Sequence, residues 1–167
     1  MTEVTGTRVG SSTEDRTDLN AVAECLPKPE GTKYPYELVT FEGRTAYLAG
    51  QIPKRDGRLA IAGKVGREVA LEDAVTAARI CAEQALAWLN DSAGGLGNVK
   101  RILRVTCYVA HDDDFEDISA VADGASNYLN DMLGDQGRHA RSVVGVKRLP
   151  RNAPVLIELT AALREPL

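Results

Sequence analysis

The chain has 167 residues, 44% of them hydrophobic and 26% charged, with 24 acidic against 20 basic side chains and a net charge of −4. This composition fits one globular domain with room for a core and excludes a fibrous or wholly disordered protein. The acidic balance and the 5% aromatic content argue against a nucleic-acid partner, which needs a basic face, and no apolar run is long enough to span a membrane.

Residues 1–20 are rich in Thr, Ser and charge and read as a flexible N-terminal tail, leaving residues 21–167 as a single domain. The tail has no apolar stretch of the signal-peptide kind, which leads to the expectation of a cytoplasmic protein. The stretch "LPKPEGTKYPYE" holds three prolines and a glycine and reads as an extended lead-in. "YELVTFEGRTAYLAG" is then a hairpin of two β-rich runs turning at Glu42-Gly43. "QIPKRDGRLAIAGKVG" is a loop with a turn at Asp56-Gly57 and one short strand.

The clearest helix is "LEDAVTAARICAEQALAWL". Leu71, Ala74, Val75, Ala78, Ala82, Ala85, Leu86 and Leu89 recur at helical spacing. No capping side chain precedes it, "NDSAGG" ends it, and its alanines predict close packing on a flat sheet. "RILRVTCYVA" alternates as a half-buried strand, with Leu103, Val105, Cys107 and Val109 on one face and Arg104, Thr106 and Tyr108 on the other. "HDDD" is the predicted cap of a second helix, whose buried stripe is Phe115, Ile118, Ala122, Ala125, Leu129 and Met132. Gly134 stops that helix, and Gly124 inside it predicts a close approach to the sheet. Two strands, about "ARSVVGVKR" and "PVLIELTAAL", finish the chain.

The order β-β-(β)-α-β-α-β-β predicts an α+β domain, a mixed sheet with two helices on one face. The other face needs a cover, and a closed oligomer supplies one. Cys25, Cys81 and Cys107 are scattered and odd in number, which opposes a disulfide framework. Without Cys-x-x-Cys or paired histidines no metal site is expected. Cys81 and Cys107 read as small buried hydrophobes. His139 and Arg141 fall on one strand face, a candidate anion site or a plain surface strand end. His111, beside three aspartates, reads as solvated.

Taken together and in order, "YLAGQIP", "GKVG", the Ala-rich helix, "RVTCYVA", "DDFEDI", "ARSVVGVKRLP" and "IELTA" resemble the RidA/YjgF family, also known as endoribonuclease L-PSP or translation-inhibitor-like proteins. The resemblance spans residues 36–163 and points to a divergent subgroup. It implies a chorismate-mutase-like fold and a homotrimer with a central barrel, with ligand clefts between subunits. The implied activity is hydrolysis of enamines and imines such as 2-aminoacrylate to 2-keto acids and ammonia, with no cofactor.

The resemblance also assigns site residues. Arg141 stands in the Ala-Arg-Ser motif and would anchor a ligand carboxylate, for which a guanidinium offers paired donors. Tyr36 matches the cleft tyrosine, and Gly50 would let ligand approach the backbone. Ala49 replaces a serine common in relatives. Val143 stands where deaminases have Cys, with its carbonyl still able to hold a water, and it would wall the site together with Leu156. Leu156 stands where they have the glutamate that activates water. Glu158, two residues on, matches a different glutamate, and Glu158 and His139 are the candidate replacements in proton transfer. Two readings follow: an imine or enamine deaminase acting on small carboxylate-bearing metabolites, or a non-catalytic protein that binds such metabolites.

Overall fold

The computed structural model describes residues 17–29 and 31–167. Residues 1–16, most of the expected tail, lie outside the described residues. The tail reading runs two residues too far, because a short helix α1 (Leu19–Cys25) opens within it. Asp18 caps this helix, its carboxylate accepting from the backbone N–H of Asn20 at 3.0 Å and of Ala21 at 3.3 Å. Leu19, Val22 and Ala23 pack their apolar sides on the core.

The main sheet has five strands: β1 (Val39–Glu42), β2 (Thr45–Gln51), β5 (Val99–Ala110), β6 (Ala140–Val146) and β7 (Val155–Leu163), in the spatial order β1-β2-β7-β5-β6. The β5–β6 pair is parallel and the other pairs are antiparallel. The expected first hairpin is present, with Gly43 taking a φ of 57° in its turn. The Asp56-Gly57 turn joins two short strands, β3 (Lys54–Arg55) and β4 (Arg58–Leu59), into a separate ribbon. Both turn residues have positive φ, as a two-residue hairpin requires.

Helices α2 (Leu71–Ser92) and α3 (Ile118–Leu133) lie side by side on one face of the sheet. This confirms the α+β class and the layering. In α2 the buried surface is broader than the predicted stripe and includes Ala77, Ile80, Cys81 and Ala87. It has no side-chain cap, as expected; Glu72 and Asp73 in its first turn complement the helix dipole.

Three local expectations are corrected. Asp117, not the His-Asp-Asp-Asp run, caps α3, its Oδ1 accepting from Ala120 N–H at 3.3 Å. Leu103 is 40% exposed while Ile102 is fully buried, because the β5–β7 register shifts between Ile102 and Arg104 and reverses the alternation there. Gly124 makes its close approach to a helix rather than the sheet: a Cβ placed on it would sit 2.1 Å from the carbonyl oxygen of Val75 in α2.

Cys81 and Cys107 are fully buried. Burial pushes the Cys107 thiol up to about 12 and the Cys81 thiol well above its usual range. Both are inert hydrophobes at neutral pH. His111 is half-buried, not solvated; its ring fills the space beside Gly145, where a Cβ would meet its Nε2 at 2.4 Å. No helix among the described residues is long and apolar enough to cross a membrane, and no cluster of three metal-ligating side chains occurs among them.

Candidate functional site

Strand alternation divides the predicted site residues between the two faces of the sheet. Arg141 pairs with Val105 and Val143 with Cys107, on the face that meets the helices. Leu156 pairs with Tyr108 and Glu158 with Thr106, on the opposite, open face. Arg141 and Glu158 are therefore not ion-paired, and Val143 and Leu156 do not form one wall. The reason is parity: residues at odd register steps on paired strands look in opposite directions.

On the open side, Tyr36, Gly50, Leu156 and Glu158 do come together. They line a groove of about 770 Å³ with Tyr34, Leu38 and Ile52 and with the cations Lys33, Lys54 and Arg151. Tyr34 and Tyr36 stack with ring centroids 6.2 Å apart and a 6° interplanar angle, and both are more than half exposed. The Leu156 side chain lies over Gly50: a Cβ there would be 2.4 Å from Leu156 Cδ2. Gly50 is thus required by Leu156, and in this chain it does not open its backbone to ligand as the resemblance implied. Glu158 accepts a hydrogen bond from the Tyr108 hydroxyl at 3.1 Å, which raises the phenol above its ordinary range.

Sequence reasoning passed over Arg151. It sits in the short 3-10 turn Pro150–Asn152 that leads into β7, and its guanidinium reaches the Gly57 carbonyl at 3.4 and 3.5 Å. Arg151 and Asn152 have φ of 58° and 61°. Two successive non-glycine residues in this region cost about 1–3 kcal/mol each and persist only where neighbours hold them. Here the Asn152 carbonyl accepts from Gly63 N–H at 2.9 Å. A Leu-Pro-Arg-Asn turn, in which Asn tolerates the left-handed region, was the available signal.

On the helix side, Arg141 and His139 meet as predicted, through α3. Arg141 Nη1 donates to Asp123 Oδ1 at 2.8 Å and to Ser126 Oγ at 3.1 Å. His139 Nδ1 faces the Gly137 carbonyl, an acceptor only, so Nδ1 carries the proton. Its Nε2 is then an acceptor for the Ser126 hydroxyl at 3.0 Å. Arg141 and His139 thus share one serine in a continuous hydrogen-bond chain.

Burial of the ring holds His139 below its ordinary value of 6.5; the Gly137 carbonyl opposes this and the Arg141 charge adds to it. Because the folded state resists the proton, the unfolded state binds more of it near and below pH 6.5, so stability rises with pH through that window. Melting temperature is expected to fall as pH drops from 7.5 to 5.5, and His139→Gln should flatten part of that slope. A slope unchanged by the substitution would place the titration elsewhere.

The geometry can be set beside known proteins. Residues 16–163 match the family model described as "YjgF/chorismate_mutase-like, putative endoribonuclease". The chain is 32% identical over 139 residues to Protein TCP17 of Trypanosoma cruzi, covering 83% of this chain and 87% of that protein. The crystal structure of Atu1372, a protein of unknown function from Agrobacterium tumefaciens, superposes with a TM-score of 0.80 at 31% identity, covering 87% of this chain and 96% of the other. A "putative endoribonuclease" from Shewanella oneidensis MR-1 superposes with a TM-score of 0.81 at 28% identity and the same coverage. With the family model spanning most of the chain and the five-stranded sheet backed by two helices, the chain belongs to the YjgF/chorismate mutase-like family.

Proposed function

We propose that the protein is a Rid-like hydrolase that deaminates small imines or enamines bearing a carboxylate. It acts as a homotrimer without a cofactor. The observation that carries this reading is the groove itself: Tyr36, Gly50 and Glu158 converge there with Lys33, Lys54 and Arg151. Among the described residues, the three cations against one carboxylate make an anion-attracting hollow in a chain of net charge −4. Arg141 stands on the opposite face at the edge strand β6, while the groove lies toward the β1–β2 edge. In the trimer, the Arg141 cluster of one protomer closes the groove of its neighbour.

The reaction is a hydrolysis. Water adds to the electrophilic carbon of the protonated imine, one water proton passes to a base and from it to the nitrogen, and the C–N bond of the resulting carbinolamine breaks as its hydroxyl gives up the second proton to the departing ammonia. A keto acid and ammonium leave, and nothing is oxidised or reduced. Arg141 holds the substrate carboxylate. His139 Nε2, already a proton acceptor toward Ser126, and Glu158, facing the groove, are the two groups able to take the proton.

Leu156 over Gly50 favours a second reading, a protein that binds the same carboxylates without turnover, because a leucine activates no water. A coupled assay separates the two. An amino-acid oxidase generates the imine, semicarbazide traps what is not hydrolysed, and suppression of trapping reports deamination. The wild type is expected to suppress trapping, and Arg141→Lys to weaken this at least about tenfold, since it loses a bidentate charge-assisted contact. Absence of suppression over several imines, with carboxylate binding intact, establishes the binding-only reading.

A further inference from the structure

The groove carries a cation that the carboxylate-anchor role of Arg141 leaves unused. Arg151 lines it from the same protomer as Tyr36, Gly50 and Glu158. Its guanidinium has no carboxylate partner among the described residues; its protein contacts are two long hydrogen bonds to the Gly57 carbonyl. Arg141 differs in this respect, since Asp123 pairs with it at 2.8 Å. The turn that carries Arg151 is held at two successive left-handed residues, which fixes where the side chain leaves the backbone. Strain of this sort persists where the surrounding structure imposes it and is concentrated at ligand sites.

The balance of charge and space points the same way. Among the described residues the groove's charges are Lys33, Lys54 and Arg151 against Glu158, and Glu158 already accepts from Tyr108. A ligand with one carboxylate, held by Arg141 of the neighbouring protomer, would leave this positive wall unmatched. At about 770 Å³ the groove falls within the roughly 300–1,000 Å³ typical of pockets for drug-sized ligands, larger than a three-carbon imine needs.

We infer that Arg151 is a second anion-binding residue of the groove and that the ligand class is dianionic, a carboxylate at one end and a second acidic group at the other. This rests on the reading of Arg141 as the first anchor. Arg151 takes the distal acid side-on through two N–H groups, and Lys33 and Lys54 supply the surrounding field.

Calorimetric titration of the full chain with 2-oxobutyrate and with 2-oxoglutarate tests it. The wild type should bind the dicarboxylate at least about tenfold more tightly, the increment expected for one charge-assisted pair. Arg151→Gln should bring 2-oxoglutarate to within about twofold of 2-oxobutyrate, with 2-oxobutyrate itself weakened by less than about threefold through the loss of one groove charge. Arg151→Gly, which suits the left-handed backbone, should do the same with the fold intact. Arg141→Gln should weaken both ligands alike. Equal wild-type affinities, or an Arg151→Gln loss of equal size for both ligands, overturn the inference while leaving the Arg141 reading standing. If the wild type binds neither keto acid, the carboxylate reading fails and the inference with it.

Discussion

Replacing Gly124 with alanine is expected to lower the melting temperature by about 5–10 °C. In an exposed helix the same change would stabilise, because alanine exceeds glycine in helix propensity by about 1 kcal/mol. Here the added methyl would stand 2.1 Å from the Val75 carbonyl oxygen and 2.9 Å from its carbonyl carbon. Both are backbone atoms of α2, so no rotamer change relieves the clash and the helices must move apart. Overpacking of a core costs about 1–3 kcal/mol and occasionally more. Backbone against backbone lies at the upper end, leaving a net loss of about 2–3 kcal/mol after the propensity gain. Moving α3 also disturbs Asp123 and Ser126, which hold Arg141, so carboxylate binding should weaken in parallel. Gly97→Ala is the control, since nothing lies within 4 Å of its added carbon. If Gly124→Ala leaves the melting temperature unchanged or raises it, the two helices are not in backbone contact at this position.

Gly124 also marks where the chain was legible and where it was not. That a glycine in a helical stripe answers a close contact follows from its cost to the helix. Which partner it meets depends on how α3 lies relative to α2, and no local pattern encodes that. The strand at 155–163 and the long helix were readable because their apolar periods are unbroken, and the first hairpin because its alternation holds up to the register shift after Leu48. The buried side of β5 was misread at Leu103, because the bulge between Ile102 and Arg104 leaves no mark in a run of apolar and basic residues. The cap of α3 was misplaced by four aspartates and a histidine competing over seven residues, His111 to Asp117, of which only the last has its carboxylate in reach of an open N–H.

The site was legible in parts. Tyr36, Gly50 and Glu158, which the resemblance assigned, share a groove, and His139 and Arg141, which alternation puts on one strand face, meet at one serine. The relation between the two clusters is set by strand parity across three paired strands, β7, β5 and β6, which puts them on opposite faces, and by strand order, which puts Arg141 at the β6 edge and the groove toward the β1–β2 edge. Ser126 and Asp123 escaped notice because they act from a neighbouring helix, and a serine in a helical stripe resembles any small core residue. Arg151 escaped because a basic residue in a turn is ordinarily a solvated one.

Leu156→Glu is expected to raise imine hydrolysis by about 10²-fold or more in kcat/KM, within the range typical of a positioned general acid or base. The argument starts from where Leu156 points. It alternates with the buried Ile157, so its side chain enters the groove, and its terminal carbons fill the space over Gly50. A glutamate side chain is one bond longer and would carry its carboxylate past that space into the groove that Tyr36 also lines. Glu158 lies on the same strand face about 6–7 Å away. Its negative charge raises the pKa of the introduced carboxylate, and the groove cations Lys33, Lys54 and Arg151 oppose that shift. As a base the group must be ionised, so the rate should climb with pH through its pKa, a new acid-side limb set by the introduced carboxylate. Leu156→Gln, which matches the shape without a titrating group, should give no gain, and adding Arg141→Ala should abolish it. The outcome also separates the two functional readings. Activity that appears only with Leu156→Glu means that the native groove binds and positions a carboxylate but leaves water unactivated. Activity already present in the wild type, raised further by Leu156→Glu, means that His139 or Glu158 moves the proton now. If the folded variant still binds carboxylates through Arg141 and shows neither the gain nor the new limb, water is not activated from this position.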